Sequence, residues 1–92
     1  MGVVVSNDGA KIYVANGRAN NISVIDVRTD AVIATIPVGT RVWGLGLTRD
    51  GKKLYAANGI SNDVSVIDTA TNSVVATVRA GEGQWGVAIV EF

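Results

Sequence analysis

The sequence predicts an all-β chain built from two copies of one four-stranded antiparallel sheet. Three observations carry that expectation: a 42-residue internal repeat, short runs of Val, Ile, Tyr and Thr set between turn signals, and strands that are apolar on both faces. Placing residues 8–49 over 50–91 without a gap makes 19 of the 42 positions identical. The matches include Tyr13/Tyr55, Asn16/Asn58, Thr29/Thr71, Gly39/Gly81, Trp43/Trp85 and Gly44/Gly86, and Ile12/Leu54, Ile22/Val64 and Ile36/Val78 are conservative. The 92 residues therefore read as a single unit of two repeats, about 8–49 and 50–91, with an extra first-position strand at one end.

In chain order, Gly2–Ser6 is the first strand, and Asn7-Asp8-Gly9 turns it into a second at Lys11–Asn16. Glycine supplies the positive φ of such a turn, and an aspartate can accept a hydrogen bond from the backbone two residues on. Asn20-Asn21 marks the next connection, leading into Ile22–Asp26, and residues 26–30, Asp-Val-Arg-Thr-Asp, turn the chain into Ala31–Ile36. The second copy follows the same order: Trp43–Thr48, the Asp50-Gly51 turn, Lys53–Asn58, Asn62-Asp63, Val64–Asp68, the turn 68–72 and Ser73–Val78. Trp85–Val90 is then a third first-position strand, which makes nine strands in all. No stretch has a helical period of useful length.

Composition excludes several kinds of activity. Eight Lys+Arg balance eight Asp+Glu, so the clustered positive charge that nucleic acids and anionic membranes demand is absent, and neither is an expected partner. The chain has no cysteine and no histidine, which removes disulfides, thiol nucleophiles, His-based metal sites and a histidine general base; no cofactor and no metal are expected. No apolar run approaches the roughly 18 residues that span a bilayer, and no signal segment is visible, so the compartment is not read from the chain itself.

Val3-Val4-Val5, Tyr13-Val14-Ala15, Val32-Ile33-Ala34 and Val74-Val75-Ala76 lack polar alternation. In antiparallel sheets this implies that both faces are covered by other sheets. A unit of about 42 residues with four strands and two covered faces describes a β-propeller blade.

Tyr13-Val14-Ala15-Asn16 and Tyr55-Ala56-Ala57-Asn58, each followed by Ser-Val-Ile-Asp at 23–26 and 65–68, resemble the YVTN-type β-propeller repeat family. The resemblance extends from Asp50-Gly51-Lys52-Lys53-Leu54-Tyr55 through Val74-Val75-Ala76-Thr77 to Trp85-Gly86-Val87-Ala88 and covers almost the whole chain. It implies a propeller of about seven blades and a bacterial or archaeal parent at the cell surface or secreted. Lactonases and quinoprotein or nitrous-oxide-reductase assemblies contain related propellers, so the resemblance bears on fold more than on activity.

Two blades cannot close a ring, and each end of an open pair leaves an apolar face in water. Head-to-tail association of copies removes both ends: three chains make six blades, and four make eight. The expectation is a homo-oligomer, a trimer first and a tetramer second, in which Trp85–Val90 pairs into the first blade of the next chain in place of Gly2–Ser6. The frame, which begins partway through a first-strand motif, reads as an excised or engineered piece of a larger propeller.

The repeated carboxylates Asp8, Asp50, Asp26 and Asp68, with Gly9 and Gly51, are read as turn residues, because a group demanded by turn geometry recurs once per unit. No nucleophile or base stands beside them. Trp43 and Trp85 are read first as blade-packing residues. As an alternative they form, with Arg41, an aromatic rim that takes a sugar or peptide. Gly81–Gly86 matches G-x-G-x-x-G but continues as a strand and is read as a loop. The myristoylation-like Met1–Ser6 is accounted for by the repeat, and the Asn21-Ile22-Ser23 sequon is read as a chance triplet that opens a strand. Apolar first strands (Val3, Val5, Leu45, Leu47, Val87, Ile89) predict a narrow, greasy central channel. The function expected is a non-enzymatic scaffold that self-assembles. The alternatives are a carbohydrate- or peptide-binding module and a fragment of a lactonase-like or quinoprotein-like enzyme.

Overall fold

Alternating apolar runs and Asx turns fold into eight strands in the computed structural model, which describes residues 2–79. They are β1 (Val3–Val5), β2 (Lys11–Asn16), β3 (Asn21–Asp26), β4 (Ala31–Pro37), β5 (Val42–Leu47), β6 (Lys53–Asn58), β7 (Asp63–Asp68) and β8 (Ser73–Arg79). Two antiparallel sheets form in sequence order, β1-β2-β3-β4 and β5-β6-β7-β8. Trp85–Val90, the Gly81–Gly86 loop and Trp85 itself lie outside the described residues, so the ninth strand does too.

The strand limits differ from the sequence expectation by a residue or so. Asn21 and Asp63, read as connection residues, open β3 and β7, because they pair with Pro37 and Arg79 and extend both hairpins. The left-handed backbone falls one residue earlier, at Asn20 (φ 58) and Asn62 (φ 56), where asparagine tolerates it. Asp30 and Asn72 (φ 56 and 54) and Gly9 and Gly51 (φ 73 and 74) repeat the same device in the other turns.

Each sheet has two faces of different composition. In the first sheet, Tyr13 pairs with Val24 and Ala15 with Ile22, and Ile22 pairs with Ile36; all are buried and form one face. In the second sheet, Leu54 pairs with Ile67 and Ala56 with Ser65, and these buried residues form the opposite kind of face. The two faces pack on each other, with Leu45, Leu47, Val74, Ala34 and Val38 around the rim of that core. Leu45 and Leu47 thus point between the sheets. Their apolar character serves the packing of the two sheets.

The apolar triplets Val32-Ile33-Ala34 and Val74-Val75-Ala76 also have a second cause. Register shifts occur opposite Val24/Ile25 and Val66/Ile67. Val32 and Ala34 take the consecutive partners Ile25 and Val24, so Ile33 is the extra residue of a β-bulge, as Val75 is in the repeat.

The outer faces stay apolar. Val3 is 60% exposed, Val5 54% and Val32 60% on the first sheet, while Val78 is 55% exposed on the second. No helix among the described residues is long and apolar enough to cross a membrane.

Candidate functional site

The repeated carboxylates are engaged by their own turns. The Asp8 carboxylate accepts from the Ala10 N–H at 3.0 Å and the Ser6 hydroxyl at 2.7 Å. Asp50 repeats this with the Lys52 N–H at 2.9 Å and the Thr48 hydroxyl at 2.7 Å. These hydrogen bonds, the backbone donor foremost, hold both carboxyls below the usual value of 3.8, with Lys11 helping at Asp8 and Lys52 and Lys53 at Asp50. Asp26 and Asp68 likewise accept from the Arg28 and Ala70 N–H groups at 3.0 and 2.9 Å. Gly9 and Gly51 take the positive φ in the first pair of turns.

Arg41 and Trp43 come together at the other end of the sheets. A register shift between Val42 and Gly44 makes Trp43 the bulge residue at the start of β5. Both residues, with Val42, form one wall of a cleft of about 750 Å³ on the first sheet. Its floor is the turn after β2 (Asn16, Gly17, Arg18, Ala19), backed by Asn21, Ser23 and Thr35. Trp43 is half-buried and Arg41 exposed. Arg41 has φ 64, and its N–H donates to the Asn20 side-chain oxygen at 2.8 Å.

Two asparagines not singled out by sequence reasoning organise this end. Asn16 donates through Nδ2 to Asn21 Oδ1 at 2.9 Å and to Ser23 Oγ at 2.7 Å. Asn58 repeats the pattern with Asp63 Oδ1 at 2.8 Å and Ser65 Oγ at 3.0 Å. The signal was present, since Asn16/Asn58, Ser23/Ser65 and Gly39/Gly81 are identical in the repeat. Asn16 is half-buried, whereas Asn58 is 0% exposed. The difference lies in the connection 38–41, which covers Asn58 and leaves Asn16 open to the cleft.

That connection joins the two sheets. The Val38 N–H donates to Asn20 O at 3.0 Å on the first sheet. Toward the second, the Thr40 N–H donates to Ser61 Oγ at 3.0 Å, and Gly59 and Ile60 donate to the carbonyls of Arg41 and Thr40 at 3.1 and 3.2 Å. Gly39 lies against Asn58 so closely that a Cβ on it would stand 2.7 Å from Asn58 Nδ2.

A sequence model of the YNCE-like beta-propeller family matches residues 3–92. No curated protein matches the chain. Among solved structures, the hydrazine synthase of Kuenenia stuttgartiensis is 26% identical with a TM-score of 0.89, over 92% of this chain and 24% of that one. A functionally unknown protein from Desulfotomaculum acetoxidans DSM 771 is 21% identical with a TM-score of 0.84, over 96% and 31%. The Cps50 (Swd1) beta-propeller domain from Myceliophteria thermophila is 20% identical with a TM-score of 0.78, over 94% and 28%. The chain thus spans between about a quarter and a third of the length of these structures.

Proposed function

The chain belongs to the YNCE-like β-propeller family, and on that premise we propose that it is a non-enzymatic scaffold module that closes a ring by head-to-tail association of copies. One observation carries this reading. The face left open on each sheet is the repeat of the face buried on the other. The first sheet exposes or half-exposes Val3, Val5, Ile12, Ile25 and Val32, the counterparts of Leu45, Leu47, Leu54, Ile67 and Val74 inside the core. The second sheet leaves Tyr55, Val64, Val66 and Val78 at least partly open, the counterparts of buried Tyr13, Ile22, Val24 and Ile36.

A second copy can therefore dock its first sheet on the second sheet of its neighbour by repeating the packing already made within the chain. Each valine or isoleucine fully buried there stabilises by about 1.5–3 kcal/mol. Such a contact is heterologous and closes only under rotation, so the ring holds three copies, or four if the angle between blades is smaller. The carboxylates that repeat in both sheets are committed to turn backbone, which supports a structural role for them over an enzymatic one.

Val32→Lys on one open face and Val78→Lys on the other test the reading by sedimentation. Each change alone is expected to shift the oligomer to monomer, with the single-chain fold altered by no more than about 0.5 kcal/mol, as is usual for surface changes. Unchanged oligomers in both variants would refute it.

The second reading is a carbohydrate- or peptide-binding module. The cleft beside Arg41 and Trp43 favours it, since about 750 Å³ is within the size range of ligand pockets. A glycan and peptide screen tests this, with Trp43→Ala expected to abolish a hit and leave the single-chain fold intact.

A further inference from the structure

The joint between the two sheets has its repeat counterpart in the floor of the cleft on the first sheet. Around Asn58, the connection 38–41 is held by Ser61, Gly59 and Ile60. Gly39 fits there only because it lacks a side chain; a Cβ would be 2.6 Å from Ser61 Oγ. In the repeat, the counterparts of Asn58, Gly59, Ile60 and Ser61 are Asn16, Gly17, Arg18 and Ala19, the residues that floor the open cleft. The counterpart of the connection itself is 80–83, Ala-Gly-Glu-Gly, with the glycine kept at 81.

Of the positions that differ, one pair is complementary in charge, while Ser61, whose hydroxyl accepts from the Thr40 N–H, has Ala19 as its counterpart. Where the internal joint brings Thr40 to Ile60 through a backbone hydrogen bond, the corresponding pair is Glu82 and Arg18. Arg41, on the opposite wall, adds a second positive group to the cleft. A neutral pair in the first joint thus has an acid–base pair as its counterpart in the repeat.

We propose that the cleft on the first sheet is the seat for residues 80–83 of a second copy of this chain, with Glu82 set against Arg18. The proposal rests on the head-to-tail reading and specifies its joint. The internal joint supplies the template for the backbone contacts: the Gly17 and Arg18 N–H groups donate to the incoming segment as Gly59 and Ile60 do, and the incoming Gly81 lies on Asn16. The charge pair makes the joint between copies chemically distinct from the joint within a chain. It favours addition at the open end, because a like charge at either position would meet its own sign.

Mass against concentration for the wild-type chain, Arg18→Glu, Glu82→Lys and the double reversal tests the seat. Each single reversal is expected to raise the dissociation concentration about tenfold, and the double variant to return to within about threefold of wild type. Glu82→Gln, which removes charge without reversing it, is expected to cost about threefold or less. Far-ultraviolet circular dichroism of each variant at a dilution where all are monomeric checks that the sheets are retained. A wild-type oligomer indifferent to both reversals, or weakened by each without recovery in the double variant, overturns the seat and leaves ring formation standing. A wild-type chain that stays monomeric at every concentration overturns both.

Discussion

Gly39 and Asn58 meet across the joint between the two sheets, with the Cβ position of Gly39 2.7 Å from Asn58 Nδ2. Asn58 donates that same Nδ2 to Asp63 and Ser65 within its own sheet. The contact couples a connection of one sheet to a buried polar residue of the next, and both residue types recur in the repeat.

Gly39→Ala is expected to destabilise the chain by about 1–3 kcal/mol, the usual cost of overpacking. Asn58 cannot retreat without losing its two hydrogen bonds, and Ser61 blocks the other side. Denaturant unfolding at fixed protein concentration measures the effect.

Asn58→Ala and Asn16→Ala are expected to differ. The first removes a fully buried donor from Asp63 and Ser65 and costs about 1–3 kcal/mol. The second removes the same bonds where water can replace them and costs about 1 kcal/mol or less. Their difference in unfolding midpoint, measured on monomer at low concentration, reads how completely the connection seals its joint.

Arg41 has φ 64, a conformation that favours glycine, and its counterpart at 83 is glycine. Arg41→Gly is expected to leave stability unchanged or raise it by up to about 1 kcal/mol, because relieved backbone strain offsets the added freedom of the unfolded chain. A thermal melt decides it.

Acid should weaken the turns between β1 and β2 and between β5 and β6. The folded chain holds Asp8 and Asp50 below 3.8, so their contribution is complete above that value. It is lost as pH falls past 3.8 and through the depressed folded values. The denaturation midpoint should drop as pH falls below 3.8, and less so in the Asp8→Asn/Asp50→Asn double variant.

Strand order, pairing and turn chemistry were legible because each depends on local residue types repeated once per unit. Lys11–Asn16 and Lys53–Asn58 agree residue for residue with β2 and β6. The bulges at Ile33 and Val75 were not legible, since an extra residue in a run of Val, Ile and Ala leaves no mark on an apolar pattern. Arg41 and Trp43, neighbours in the sequence, line one cleft. The cleft beside them escaped notice because its floor, Asn16 to Ala19, looks like ordinary turn sequence. Its meaning emerges only when the covered Asn58 and the open Asn16 are compared in space.

Absolute mass in solution, by native mass spectrometry across a concentration series, tests the head-to-tail account most directly. The account predicts a closed species of three chains of 9.5 kDa each, or of four, that stops growing at that number. A stable 9.5 kDa monomer at all concentrations, or open-ended growth with no closed species, would contradict it.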